Sequence, residues 1–365
     1  MRITIFTSAL SGGGAERVTC NLANFLSRSG HAVEILTMGE TAPAEPLEEG
    51  VREITLLRNS ERGISVLNNL KRILRLMRYM KKEKVDAYVV MLPIPTMLMT
   101  SFRRLTKAPI IMSERADPKV YSKKTQKRLA KACQRVQGAV FQTAEAQKWY
   151  EPHLKGAVAC IIPNAINPVF IRPAYEGERE KTIVGAGRFN SQKNFPLLIR
   201  AFAKIAPDFP EHKLVIYGQG NLLESYQTLA NELGVGDRVE FPGFVSDMPE
   251  RLEKSSMFVL SSDYEGMPNA LMEAMASGLP CVSTDCGGGG ARFLVRDGEN
   301  GLLVPVGDEN AMAEAMRKIL SEEAFAATLG SNARNLQETL APEKIYGAWE
   351  TFIYEMTEER ATWGD

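Results

Sequence analysis

The chain of 365 residues reads as α/β, with two tandem doubly wound, Rossmann-like parallel sheets. Three observations carry that reading. Short apolar runs alternate with helical patterns from end to end, which implies parallel strands covered on both faces. The length suits two domains, and 44% hydrophobic with 24% charged residues is ordinary for a globular chain. A Pro/Gly-punctuated stretch, Asn167-Pro168 and then Arg172-Pro173-Ala174-Tyr175-Glu176-Gly177, divides the alternation in two.

Taken in order, the first strand is Ile3–Phe6, which leads through Ser11-Gly12-Gly13-Gly14-Ala15-Glu16-Arg17-Val18 into a helix. That helix carries Val18, Leu22, Phe25 and Leu26 on one face and closes at Gly30. Its Gly run invites comparison with a dinucleotide fingerprint. However, Gly12-x-Gly14-x-x-Arg17 puts Arg where the third Gly must allow close helix–strand packing, which argues against a nicotinamide-dependent dehydrogenase. Further strands are expected near Val33–Thr37, Val51–Leu57, Ala87–Met91, Pro109–Met112, Ala139–Phe141 and Val158–Ile161. Past the boundary they are expected near Thr182–Gly185, Lys213–Tyr217, Arg238–Phe241, Met257–Leu260, Cys281–Ser283 and Gly301–Val304. A last helix, about Pro342 to Glu358, has Trp349 and Phe352 on neighbouring turns.

Charge separates the halves. The formal net charge is +0, yet residues 1–172 hold 27 Lys+Arg against 14 Asp+Glu, and the remainder holds 17 against 30. One half therefore suits an anionic partner. Its cations concentrate in Lys71 to Lys84 and in Arg103 to Arg135. The first segment reads as a helix with Leu67, Leu70, Leu74, Met77 and Met80 on one face and Lys71, Arg72, Arg75, Arg78, Lys81 and Lys82 on the rest. Two readings are open: a basic amphipathic helix for an anionic membrane surface, or an ordinary outer-layer helix with a solvated basic face.

Five cysteines, Cys20, Cys133, Cys160, Cys281 and Cys286, form no C-x-x-C pair, and an odd count suits reduced thiols in the cytosol. Three scattered histidines suggest no metal site. No signal peptide and no membrane span is read, so a cytoplasmic protein is expected, and no nucleic-acid partner.

Two motifs carry chemistry. Glu265-Gly266-Met267-Pro268-Asn269-Ala270-Leu271-Met272-Glu273 sets two carboxylates eight positions apart, directly after the apolar strand Met257–Leu260. Pro268 is expected at the first helical position, and the helix stops at Gly278 before Pro280. Its N-terminus offers free N–H groups and a positive dipole to a diphosphate. About seventy residues upstream, strand Thr182–Gly185 runs through Gly187 into Arg188-Phe189-Asn190-Ser191-Gln192-Lys193. Arg188 and Lys193 thus emerge at the carboxyl end of a parallel strand, where such sheets bind ligands, as a planar fork and a point charge for a pyrophosphate.

Together these residues resemble the retaining glycosyltransferases of family 4, which share the Glu-x7-Glu and Gly-Arg…Lys motifs. The resemblance covers nearly the whole chain and includes the first Gly loop, Ile161-Ile162-Pro163-Asn164-Ala165-Ile166-Asn167, and Asp297-Gly298-Glu299-Asn300-Gly301-Leu302-Leu303-Val304-Pro305. It implies the GT-B fold: an acceptor-binding domain over 1–170 and a nucleotide-sugar-binding domain over 171–341, facing a cleft. The helix from 342 to 365 then crosses back to the first domain.

The resemblance implies Arg188, Lys193 and Glu265 as catalytic residues. Donor binding falls to Gly13, Gly14, Gly187, Phe244, Gly266, Met267, Pro268, Asn269 and Glu273, with Glu273 on the ribose. The base is placed behind Tyr217-Gly218-Gln219-Gly220 and Phe241-Pro242-Gly243-Phe244-Val245. Glu114 and Arg115 are assigned to the acceptor.

Two departures from the family pattern stand out: Arg115 where many members carry His in a Ser-Glu-His stretch, and Phe293 where relatives often have Glu. No Asp-x-Asp occurs in the donor half, so a metal-independent enzyme without a cofactor is expected. It would retain anomeric configuration as it moves a hexose or N-acetylhexosamine from a nucleotide diphosphate sugar, a UDP-sugar by preference. The acceptor would be a lipid-diphosphate-linked glycan in bacterial surface polysaccharide or glycan biosynthesis, with the enzyme peripheral at the inner face of the cytoplasmic membrane. The alternatives are a nucleotide-sugar epimerase of similar fold and an inactive nucleotide-sugar-binding protein.

Overall fold

A computed structural model describes residues 1–11 and 13–359; Gly12 of the first Gly loop and residues 360–365 of the expected last helix lie outside the described residues. The chain divides into two compact units, one of Met1–Ala165 with the chain from Glu343 onward, the other of Ile166–Pro342.

The first unit holds strands β1 (Arg2–Thr7), β2 (Ala32–Thr37), β3 (Val51–Thr55), β4 (Ala87–Met91), β5 (Ile110–Ser113), β6 (Gly138–Phe141) and β7 (Val158–Ile161). They form one parallel sheet in the order β3-β2-β1-β4-β5-β6-β7. The second unit holds β8 (Thr182–Ala186), β9 (Lys213–Tyr217), β10 (Val239–Gly243), β11 (Met257–Leu260), β12 (Cys281–Thr284) and β13 (Leu302–Val304). These form a parallel sheet in the order β10-β9-β8-β11-β12-β13. Every strand expected from the sequence forms, within two residues at each end. The central ones read as unbroken apolar runs because both faces are covered: Ala87–Met91 and Met257–Leu260 are buried at every position.

Each sheet reverses its strand order once, between β1 and β4 in the first unit and between β8 and β11 in the second. At such a point the two following loops turn away in opposite directions and leave a crevice at the carboxyl ends of the strands. The Gly loop and the helix Gly14–Arg28 follow β1. The Arg188–Lys193 loop follows β8, and the Glu265 loop follows β11.

The last helix, Pro342–Glu359, supplies core to the first unit. Trp349 is fully buried, and a side chain at Gly138 on β6 would meet Phe352 and Met356 at 3.2 Å, so the glycine there makes room for this helix.

The basic segment forms the helix Ser65–Lys82, but only the C-terminal end of its apolar stripe faces the core, with Met80 buried and Met77 half-buried. Leu67, Leu70 and Leu74 are exposed, and the helix packs instead through Leu76, Tyr79 and Met80. Polar anchors on the inner side set this rotation. Arg75 makes two 2.6 Å hydrogen bonds to the Glu61 carboxylate, Arg72 Nε donates to the Met38 carbonyl at 2.9 Å, and Tyr79 meets Thr4 Oγ1 at 2.7 Å and the buried Glu34. With Lys71 Nζ donating to the Glu61 carbonyl at 3.3 Å, three of the six cations in this helix bond to the scaffold, which the charge pattern by itself did not distinguish. No helix among the described residues is long and apolar enough to cross a membrane.

Candidate active site

The second unit assembles its site at the crevice between β8 and β11. Gly187 and Arg188 follow β8, and a short 3-10 turn, Ser191–Lys193, carries the chain to Asn194. Asn194 adopts the left-handed conformation (φ 42) that a short polar side chain tolerates, and its side chain caps the helix Phe195–Ile205 by accepting from the Leu197 N–H. This loop is stitched to the one after β11: Asp263 N–H donates to the Gln192 carbonyl at 2.9 Å, Ser261 Oγ to the Lys193 carbonyl at 2.8 Å, and Asn194 Nδ2 to Asp263 Oδ1 at 2.7 Å.

The stitching fixes Lys193 Nζ 2.5 Å from Glu265 Oε1. Ser262 Oγ donates to the same oxygen at 2.7 Å, and Gln192 Nε2 approaches Oε2 at 3.4 Å. The Glu265 carboxylate is buried, as is Glu273, which lies on the helix Asn269–Ala276. Among the described residues Lys193 engages one of its three ammonium donors here, in the bond to Glu265. Arg188 is exposed at the mouth of the same loop. The Cys286 thiol stands near this ion pair; burial first, and then the Glu265 charge, pushes it up to about 12, which keeps it protonated and no nucleophile.

Pro268 is the cap of that helix rather than its first residue, with φ −77 and ψ 94, because the chain turns in extended geometry before Asn269. The backbone donors of its first turn are therefore those of Asn269 and the residues after it. Gly266 and Met267 sit between Glu265 and this cap, with Met267 buried. The Gly287–Gly290 run lies against them: Glu265 N–H donates to the Gly287 carbonyl at 3.0 Å, and a Cβ at Gly290 would stand 2.0 Å from the Gly266 carbonyl oxygen. The sequence reading did not use this run; four consecutive glycines after a strand were its available signal. A second close approach joins β8 to β9, where a Cβ at Gly218 would stand 1.8 Å from the Gly187 carbonyl oxygen. Phe244, after β10, is 80% exposed. Phe293 lies partly exposed on the helix Gly290–Leu294.

In the first unit, Gly13 is the cap of the helix Gly14–Arg28, at the β1/β4 crevice, and contributes no side-chain bond to it. Opposite, after β4, Leu92 holds φ 71. A branched aliphatic residue in that region is strained, and the strain falls at the point where the helix Pro93–Ser101 begins. Nothing in the sequence flagged Leu92.

Glu114 and Arg115 follow β5. The buried Glu114 carboxylate accepts from the Arg115 and Ala116 N–H groups at 2.9 and 3.2 Å, from Tyr121 OH at 3.1 Å and from Tyr150 OH at 2.9 Å. Burial raises its pKa against the pull of those donors. Arg115 turns away from it, donating from Nη1 to Asn164 Oδ1 at 2.7 Å with its guanidinium 5.5 Å from the Trp349 ring. Burial lowers its pKa to about 10, so it stays cationic at neutral pH. Its Nε and Nη2 atoms are buried with no hydrogen-bond partner among the described residues, and so is Oε1 of Gln142, whose Nε2 shares the Asn164 oxygen at 2.7 Å.

The five cysteines are free. No group of three or more His, Cys, Asp and Glu suited to a metal forms among the described residues.

Comparison with known proteins bears on this geometry. Residues 12–170 match the family model described as Glycosyltransferase Family 4, and residues 170–336 match Glycosyl transferases group 1. An exopolysaccharide phosphotransferase of Streptomyces coelicolor is 35% identical over 62% of this chain, which spans about a quarter, 24%, of that protein's length. A Campylobacter jejuni α-1,4-N-acetylgalactosaminyltransferase, named for an acceptor glycan on diphospho-undecaprenol, is 26% identical over 98% of this chain and 99% of its own. The Anabaena protein HepE, solved in complex with UDP, superimposes with a TM-score of 0.82 at 16% identity, over 97% of this chain and all of its own, a likeness that shows the fold. With two parallel Rossmann-like sheets, a GT-B architecture and family matches that together run from residue 12 to 336, the chain belongs to glycosyltransferase family 4.

Proposed function

We propose that this glycosyltransferase moves a hexose or N-acetylhexosamine, with retention and without a metal, from a UDP-sugar to a lipid-diphosphate-linked glycan at the cytoplasmic face of a bacterial membrane. The observation that carries the donor half is the Lys193–Glu265 pair, fixed beside Arg188 and the N-terminus of helix Asn269–Ala276 at the strand-order reversal. Negative charge grows on the β-phosphate as the bond to the sugar breaks, and preorganised cations and helix N–H groups stabilise it most in the transition state. Glu265 holds Lys193 in place and offers Oε2 to a sugar hydroxyl, while Glu273 serves the ribose.

In the reaction the C1–O bond to the β-phosphate breaks, the acceptor oxygen bonds to C1 from the same face, and the acceptor proton passes to the departing phosphate oxygen. No protein base is required, which accords with arginine rather than histidine at position 115. The buried, incompletely partnered guanidinium of Arg115 suits an anionic group of the acceptor. UDP is the nucleotide in the HepE complex, and a diphospho-polyprenol glycan is the acceptor named for the Campylobacter relative; both classes are proposed here.

Incubating the protein with radiolabelled nucleotide sugars, with and without a polyprenyl-diphosphate sugar and with EDTA, tests all of this. Transfer from a UDP-sugar at a rate that EDTA leaves unchanged is expected. Interconversion of the nucleotide sugar without acceptor would point to an epimerase, and binding without turnover to an inactive binding protein. Recovery of an EDTA-abolished rate by magnesium or manganese would overturn metal independence.

A further inference from the structure

Two consecutive serines follow β11, and each holds one end of the Lys193–Glu265 pair. Ser261 Oγ donates to the Lys193 carbonyl at 2.8 Å, and Ser262 Oγ donates to Glu265 Oε1 at 2.7 Å. Both serines are buried, Ser262 completely. Ser262 is itself held from the neighbouring strand, because Thr284 Oγ1 at the end of β12 donates to its carbonyl at 2.6 Å. Its hydroxyl thus stands on a braced backbone.

A carboxylate has two equivalent oxygens and a broad terminal torsion, so attraction to an ammonium does not by itself choose which oxygen meets it. A lysine ammonium, as a point charge, binds one oxygen or both. The hydroxyl makes the choice. Lys193 Nζ and Ser262 Oγ converge on Oε1 at 2.5 and 2.7 Å, and Oε2 is left with Gln192 Nε2 at 3.4 Å, the long end of the hydrogen-bonding range. Turning the carboxylate to bring both oxygens onto the ammonium would cost the buried Ser262 hydroxyl its acceptor.

We propose that Ser262 is a positioning residue of the transfer reaction: its hydroxyl fixes the rotation of the Glu265 carboxylate, which in turn aims the Lys193 ammonium at the departing β-phosphate and keeps Oε2 for a hydroxyl of the donor sugar. The inference rests on the donor reading above for its ligands and extends it to a side chain too deeply buried to touch them. Ser262 acts on the rate through Glu265, because a displaced ammonium serves least well the charge that builds on the phosphate in the transition state. Binding of the nucleotide draws on many other contacts and changes little.

Ser262→Ala, on protein with unchanged circular dichroism, should lower kcat for sugar transfer about tenfold or more and move the donor KM and the UDP Kd less than about twofold. Ser262→Cys keeps the volume but donates weakly, and should be nearly as slow. In a Glu265→Ala background Ser262→Ala should lower the rate less than about twofold further, because no carboxylate remains to be positioned. Crystal structures of the wild type and Ser262→Ala give a readout independent of turnover: the Glu265 carboxylate should rotate so that both oxygens approach Lys193 Nζ. The proposal is overturned by a kcat within about twofold of wild type, by a donor KM that rises in step with the fall in kcat, or by a loss of equal size with and without Glu265. A carboxylate unmoved in the Ser262→Ala crystal overturns it as well. If no nucleotide sugar supports transfer by the wild type but the carboxylate rotates as expected, the proposed activity fails while the role of Ser262 in setting the pair stands.

Discussion

The loop after β11 and the loop after β5 each bury a glutamate, and they use it in opposite ways. Glu265 is bound to a cation, Lys193, and to one hydroxyl, so its charge is spent on fixing a lysine at the strand-order reversal. Glu114 is spent on scaffold: two backbone N–H groups and two tyrosine hydroxyls surround it, and its neighbour Arg115 points elsewhere with two nitrogens unpartnered. A buried carboxylate next to a basic residue in sequence is therefore no guide to which of them meets a ligand. In the second unit the pair is preorganised together; in the first, the carboxylate shapes the loop and leaves the cation with unsatisfied donors, which favours an anion.

The largest effects should come from the β11 side. Lys193→Ala, Glu265→Ala and Arg188→Ala are each expected to lower kcat about a hundredfold or more, since each removes a group preorganised for the transition state. Steady-state rates on protein with unchanged circular dichroism decide this. All three within about threefold of wild type would reduce the Lys193–Glu265 pair to a structural contact and erase the contrast between the loops.

Intermediate effects should separate donor from acceptor. Glu273→Ala should weaken UDP binding about tenfold by calorimetry and leave the acceptor KM alone, as a lost hydrogen bond to a charged group does. Arg115→Met should do the reverse, raising the acceptor KM about tenfold with the UDP Kd unchanged. If the two parameters move together in either variant, the assignment of one loop to each substrate is wrong.

The smallest effect concerns Glu114, whose pKa burial raises in the folded state. The folded protein then holds that proton more readily than the unfolded chain. Its contribution to stability is thus fullest at acidic pH and is lost as pH rises from the ordinary carboxylate range through the raised folded value. Glu114→Gln keeps an acceptor for the backbone and Tyr121 and can donate to Tyr150, so urea unfolding across that window should show a flatter pH dependence than wild type. An identical slope in the two proteins would mean that the four donors, not burial, govern the group.

Much of the fold was legible because its signals are local. Apolar runs such as Met257–Leu260 and Ala87–Met91, turns at Gly30 and Gly278, and the Glu265…Glu273 and Arg188…Lys193 spacings are properties of short segments, and parallel strands that bury both faces leave an unmistakable record. Side-chain direction across elements was not legible. The rotation of helix Ser65–Lys82 depends on Met38, Thr4 and Glu34, all distant from it in the chain, as well as on nearby Glu61, and a helix with apolar residues on more than one side offers no local means of choosing which to bury. The same holds for Glu114, whose tyrosine partners lie 7 and 36 residues away, for the glycine run that closes on Gly266, and for Leu92, whose strained backbone lies at a strand-order reversal. Sequence by itself determined which segments fold as strand or helix and which residue types reach the strand ends, because propensity and periodicity act within a few residues. Only the tertiary structure decided which charges meet, which are consumed by the scaffold and which apolar face stays outside, because those outcomes depend on partners that sequence order does not bring together.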